Sequence, residues 1–198
     1  MGTTSSDQVP RRFKFGNHIL DITENYSNDL YLPSIVWRCS EYLCEYIVEE
    51  NINFTGKKVI ELNSGTGIVG ILATLMGGEV TMTDRTNALA QLKENIDTNC
   101  ANRGTILTYT LGDDITNLPQ NFDYILGAGV VFITDTFSLL VDALKYLSST
   151  QTVILLSTEK WKEFGLLEFY DKTLPLDFHC ATVKTSQDVN VYRALKKY

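Results

Sequence analysis

Hydrophobic and polar positions alternate along the chain in two rhythms. Short β-branched or apolar runs predict strands at Lys58–Leu62, Val80–Asp84, Ile106–Thr110, Tyr124–Ala128 and Thr152–Ser157. Longer stretches with helical spacing lie between them at Ile68–Met76, Asn87–Asn99 and Asp135–Leu147, while Leu111–Phe122 reads as loop. Upstream, Phe13-Lys14-Phe15 and His18-Ile19-Leu20-Asp21-Ile22 flank Gly16-Asn17, the pattern of a short hairpin. Apolar Trp37, Leu43, Ile47 and Val48 predict an amphipathic helix from Ser34 to about Glu50. A further helix is expected from Lys160 to Thr173, ended by Pro175. The extended runs Phe178–Lys184 and Asn190–Leu195 then close the chain as a hairpin. Strands alternating with helices imply an α/β fold, a mainly parallel sheet covered on both faces and finished by antiparallel strands.

Composition narrows the class. With 198 residues, 44% of them hydrophobic, the chain can bury one full core. Residues 1–11 are expected to form a flexible leader and 12–198 one domain. A net charge of −7 offers no basic face for phosphates, so nucleic acid is not an expected partner. Cys39, Cys44, Cys100 and Cys180 show no C-x-x-C spacing and are expected to stay reduced, as in the cytoplasm or nucleus. No apolar run reaches the ~20 residues that span a bilayer. Met1-Gly2-Thr3-Thr4-Ser5-Ser6 fits the permissive myristoylation pattern, but reads more simply as part of the leader. A monomer is expected, since no unusual apolar stripe stands out.

The chemistry concentrates at Glu61-Leu62-Asn63-Ser64-Gly65-Thr66-Gly67-Ile68-Val69-Gly70, where a strand breaks at a glycine turn and a helix begins. Glycines there admit a close ligand, and the helix start presents unpaired N–H groups. Asp84 ends the next strand, placed to accept hydrogen bonds from a ribose. Gly65-x-Gly67-x-x-Gly70 also satisfies the dinucleotide fingerprint, yet little chain remains for a dehydrogenase's second domain. S-adenosyl-L-methionine suits the pattern better: it has no pyrophosphate, and Glu61 can face its cationic amine while Asp84 holds the ribose. His18 and His179 belong to no triad or metal spacing, and no metal is expected.

Taken together, the Glu61–Gly70 segment, Val80-Thr81-Met82-Thr83-Asp84-Arg85 and Phe122-Asp123-Tyr124-Ile125-Leu126-Gly127-Ala128 resemble seven-β-strand protein-lysine methyltransferases. The likeness is to the methyltransferase-like family that modifies heat-shock chaperones, valosin-containing protein and translation elongation factor. It continues through Asn17-His18, Val36-Trp37, Leu92-Lys93-x-Asn95 and Asp188–Ala194, covering nearly everything beyond residue 12. The resemblance implies a Rossmann-like seven-stranded sheet and methyl transfer from S-adenosyl-L-methionine to a protein lysine. A chaperone, an AAA ATPase or an elongation factor is the implied partner. It further implies cofactor contacts at Trp37, Glu61, Asn63, Ser64, Gly65, Gly67, Asp84, Leu111 and Ala128, with Phe132 in the substrate channel. Three departures stand out. The turn begins Asn63-Ser64 rather than with glycine, and Leu111-Gly112-Asp113-Asp114 lacks the family's tryptophan. Gly129 stands where the family carries an acid at the reaction centre; Asp135, nearby, reads as the opening turn of a helix. Two other readings stay open: a non-catalytic binding protein on the same fold, and a small-molecule methyltransferase.

Overall fold

Seven strands form the main sheet, in the spatial order β5-β4-β3-β6-β7-β9-β8. In chain order they are β3 (Lys58–Glu61), β4 (Glu79–Asp84), β5 (Thr105–Thr108), β6 (Tyr124–Ala128), β7 (Val153–Glu159), β8 (Phe178–Thr185) and β9 (Val189–Lys196). The first five run parallel, and β9 joins β7 antiparallel with β8 beyond it. A separate hairpin, β1 (Gln8–Phe15) with β2 (His18–Asn25), precedes them. The computed structural model describes residues 8–26, 32–131, 134–161 and 165–198. Gly2 and the rest of the first seven positions lie outside the described residues, as does Phe132.

Among the described residues, the longer helices that join the strands are α1 (Arg38–Glu49), α2 (Ile68–Leu75), α3 (Leu89–Cys100) and α4 (Phe137–Leu147). Period-two alternation in the strands feeds two cores. Val59, Val80, Met82, Leu126 and Leu155 pack under α1, α2 and α3, whereas Ile60, Ile125, Ile154 and Leu156 pack under α4 and the turns after it. Both faces are thus covered, which is why these strands read as near-continuous apolar runs. After β3 the chain steps outward through β4 to β5, then returns to β6 on the other side of β3. The strand order reverses there, and such a reversal opens a crevice beyond the carboxyl ends of the strands.

The hairpin is tied down by amide side chains. Gln91, Asn95 and Asn99 recur every four residues on α3, so they form one column on that helix. Asn95 accepts from the Thr23 N–H (2.8 Å) and donates to the Thr23 carbonyl (3.2 Å) and the Thr66 carbonyl (3.0 Å). Asn99 exchanges two bonds with the Asp21 backbone, each 2.8 Å, and Gln91 donates to the Thr23 and Ser34 carbonyls. The column acts as a substitute strand along the free edge of β2, whose backbone groups would otherwise lack partners.

Four boundaries differ from the sequence expectation. Residues 8–11, read as leader, are already strand, held by the Arg11–Glu24 and Arg12–Asp21 ion pairs across the hairpin. Ser34–Trp37 is not helical: Ser34 accepts from Asn25 N–H, and Trp37 is extended (φ −81°, ψ 152°) before α1 begins. Strand β7 continues to Glu159 because β9 keeps pairing with it as far as Val189. Lys160 and Trp161 are therefore not helical, and helical turns run instead through Leu166–Glu168, Phe169–Thr173 and Leu174–Leu176, the last containing Pro175.

Candidate active site

The turn after β3 is built by backbone geometry and a few short side chains. Asn63 (φ 53°) and Gly65 (φ 55°) both occupy the left-handed region, which asparagine tolerates better than other non-glycine residues. The loss of a glycine at position 63 therefore leaves the turn intact. Gly65 is required: a Cβ there would lie 2.9 Å from the Pro33 carbonyl oxygen. Ser64 staples the turn to β4, donating its N–H to the Thr83 carbonyl (2.8 Å) and accepting from the Thr83 N–H at Oγ (3.1 Å).

Asp84 ends β4 and faces this turn. Its Oδ2 accepts from the Gly65 N–H at 2.7 Å and its Oδ1 from the Arg85 N–H at 2.8 Å. Burial raises its pKa, while those two N–H groups and the Arg85 charge pull the other way. Each carboxylate oxygen keeps a further lone pair, so the group can still accept from a diol.

A crevice of about 270 Å³ lies over the carboxyl ends of β3, β4, β6 and β7. It brings together six of the expected residues: Trp37, Asn63, Ser64, Gly65, Asp84 and Ala128. Three do not line it. Glu61 is buried beneath the turn, accepting from the Gly70 N–H at 3.1 Å, and burial pushes its pKa up to about 8. Gly67 precedes α2 as its cap, and Leu111 packs against the core under α4. Thr110 accounts for the Leu111 displacement: its N–H bonds to Asp113 Oδ2 (2.8 Å), a tight turn that carries Leu111 away. Tyr109 and Thr110 line the crevice in its place. Asp135 lies in the helical turn Thr134–Thr136 ahead of α4 and does not line the crevice.

Sequence reasoning missed Tyr109, Glu159 and Trp161. Tyr109 lay inside the expected strand Ile106–Thr110 without being read as a lining residue, and Glu159 lies two residues beyond the expected strand end at Ser157. Glu159 is half-buried beside the start of α1; burial raises its pKa, while the nearby backbone N–H groups of Cys39 and Arg38 pull the other way. The cap residue of that helix, Trp37, makes no side-chain cap bond of its own, so a carboxylate at its N-terminal end is favourably placed. Trp161 meets Trp37 edge to face at 5.8 Å, and the Trp37 indole donates to the Leu32 carbonyl. Gly129, in the place of the family acid, has φ 64° and donates its N–H to the Ser157 carbonyl at 2.9 Å. Cys39 beside it is inert as a nucleophile, its thiol pushed up to about 12 by burial.

Residues 14–169 match a family model described as lysine methyltransferase. The chain belongs to that family. It is 40% identical over 202 residues to EEF1A lysine methyltransferase 3 of Xenopus tropicalis, covering 99% of this chain and 90% of the relative. It is 34% identical over 198 residues to protein N-lysine methyltransferase METTL21A of Danio rerio, covering 96% and 88%. Among solved structures, a 16S rRNA N2 G1207 methyltransferase of T. thermophilus, in complex with AdoMet and guanosine, superposes with a TM-score of 0.71. It is 20% identical and covers 96% of this chain, which spans only 51% of that protein. This last likeness concerns the fold, and it agrees with the strand order above.

As a family member the protein is a methyltransferase whose methyl donor is S-adenosyl-L-methionine. The crevice fits that molecule. Asp84 would accept from the ribose hydroxyls, the turn at Asn63–Gly65 leaves backbone exposed to the amino-acid end, and Ala128 leaves room at the end of β6.

Proposed function

We propose that this protein transfers methyl groups from S-adenosyl-L-methionine to a lysine side chain of another protein, and that this acceptor is elongation factor 1A. The observation that carries the reading is the crevice itself. It does not end at the donor cradle but continues past Ala128 to Trp37 and Trp161, the latter 40% exposed. An aromatic mouth of this kind suits a long alkyl chain ending in an amine. The factor is singled out by the name carried by the Xenopus tropicalis relative. A cytoplasmic monomer belongs to the same proposal, supported by four cysteines that are all free thiols.

Methyl transfer from a sulfonium needs no covalent enzyme intermediate. The protein has to align donor and amine, which is worth ~7–11 kcal/mol, and to desolvate the lysine so that its neutral form is accessible. Incubation with labelled donor and purified elongation factor 1A should label the factor, and replacing the acceptor lysine by arginine should abolish the signal. Labelling of a chaperone or an AAA ATPase in lysate, with the factor unlabelled, reassigns the acceptor. Label confined to protein-free extract favours a small-molecule substrate.

Gly129 favours one second reading, a donor-binding protein without turnover, since the position holds no carboxylate and its left-handed backbone disfavours most side chains. Calorimetric donor binding with no label transferred to any acceptor would establish it.

A further inference from the structure

Glu159 occupies the end of β7 with a carboxylate in the crevice wall and, among the described residues, no cation paired with it. Its neighbour Lys160 is committed elsewhere, to Thr185 Oγ1 (3.0 Å) and the Ser186 carbonyl (2.6 Å). The backbone N–H groups of Cys39 and Arg38 near it are not charges, and a carboxylate can accept from more partners than these. A half-buried anion without a countercharge is a costly arrangement in an apolar wall unless a ligand completes it.

The position of Glu159 says which ligand. Asp84 ends β4, the glycine turn follows β3, Ala128 ends β6 and Glu159 ends β7, so four adjacent strand ends span the crevice. Strands are spaced ~4.8 Å apart, which puts β7 ~10 Å from β3 and ~14 Å from β4. The ribose and amino-acid ends of the donor belong to β4 and β3, leaving β7 to the acceptor. Gly129 is adjacent: Ala128 pairs with Ser157, two residues before Glu159, and Cys39 lies against both positions. Trp37 and Trp161 stand at the same end.

We propose that Glu159 binds the ε-ammonium of the acceptor lysine and takes its proton, supplying from β7 the carboxylate that Gly129 cannot supply after β6. The inference rests on the functional reading above and deepens it. One proton passes from the ammonium to the carboxylate. The freed lone pair forms a bond to the methyl carbon as the carbon–sulfur bond breaks, its electron pair staying on sulfur. The products are an N-methylammonium and S-adenosylhomocysteine, and the carboxyl group later returns its proton to water. Trp37 and Trp161 hold the cation's alkyl neighbourhood through their ring faces and edges.

The test compares wild type, Glu159→Gln and Glu159→Asp with labelled donor and the acceptor protein identified above, alongside calorimetry of the donor. Expected for Glu159→Gln is a kcat/KM lower by about 10²-fold or more, with acceptor KM raised and donor Kd within about twofold of wild type. Glu159→Asp should recover part of the loss. Unchanged acceptor kinetics in a folded Glu159→Gln overturns the inference while leaving the function standing. Loss of donor affinity in step with activity also overturns it, because Glu159 would then serve only α1 and the donor. Should Glu159→Gln not fold, butylammonium inhibition of the wild type decides. Inhibition competitive with acceptor and at least ~10-fold stronger than that by butanol supports the inference, and equal inhibition by the two overturns it. No transfer by the wild type removes the functional reading and this inference together.

Discussion

The two halves of the crevice are built by different means. The donor half is local and heavily cross-braced: Gly65, Ser64, Thr83 and Asp84 lie within 21 residues, and their backbone N–H groups donate hydrogen bonds of 2.7–3.1 Å among them. The acceptor half draws on Trp37, Gly129, Glu159 and Trp161, gathered from three distant stretches and joined chiefly by ring contacts. The first is preorganised before any ligand arrives, as donor recognition requires. The second is a wall of replaceable side chains, which is where relatives of one fold can differ in acceptor without rebuilding the donor cradle.

The contrast can be broken most severely at Gly65. Gly65→Ala forces a Cβ to 2.9 Å from the Pro33 carbonyl at positive φ, a strain of about 1–3 kcal/mol. Donor affinity measured by calorimetry should fall at least ~100-fold. Asp84→Asn comes next: with one oxygen replaced by a donor group, the Gly65 and Arg85 N–H groups cannot both be satisfied while a diol is held. Donor Kd should rise roughly 10- to 100-fold, in line with ~1.5–3 kcal/mol for hydrogen bonds to a charged group. In the acceptor half, Trp161→Ala should leave donor Kd unchanged and raise acceptor KM by about two- to fivefold, the scale of an exposed cation–π contact. Movement of donor Kd by that variant would erase the division between the halves.

A last effect, on stability rather than on binding, concerns Glu61. Its folded pKa of about 8 lies above the ordinary value of 4.5, so the folded state keeps a proton that the unfolded chain has released. Stability should therefore be greatest below pH 4.5 as far as this group is concerned, and should decline as pH rises from about 4.5 to about 8. Glu61→Gln can still accept from the Gly70 N–H and should remove that decline. Denaturant unfolding at pH 6 and pH 9 should show the variant losing less stability than wild type between the two, by on the order of 2–3 kcal/mol.

The same division governs how much could be read from the chain. The strand–turn–helix at Glu61–Gly70 and the acid at Asp84 are short-range signals, because neighbouring residues make the structure they announce. The seven-stranded sheet followed from strands alternating with helices and a closing hairpin, and the structure places it so. Glu61 was given to the crevice, yet the pleat turns it under α2 to bond Gly70. Leu111 was placed at the cofactor by the family resemblance, and the Asp113 turn moves it aside. Trp161 was absorbed into a helical pattern and Glu159 was left between it and the strand, because only pairing with β9, some thirty residues later, extends β7. No local signal carries that information.

The amide column on α3 has a mechanical corollary. Asn95 grips the Thr66 carbonyl inside the donor-binding loop with the same side chain that grips Thr23 in the outlying hairpin. Loosening one end therefore releases the other, and a guest seated in the loop stiffens an ornament that never touches it. Amide hydrogen exchange at Asp21 and Thr23, whose protons point at Asn99 and Asn95, should slow when the donor is added. The hairpin is thus a remote gauge of occupancy, wired through three carboxamides.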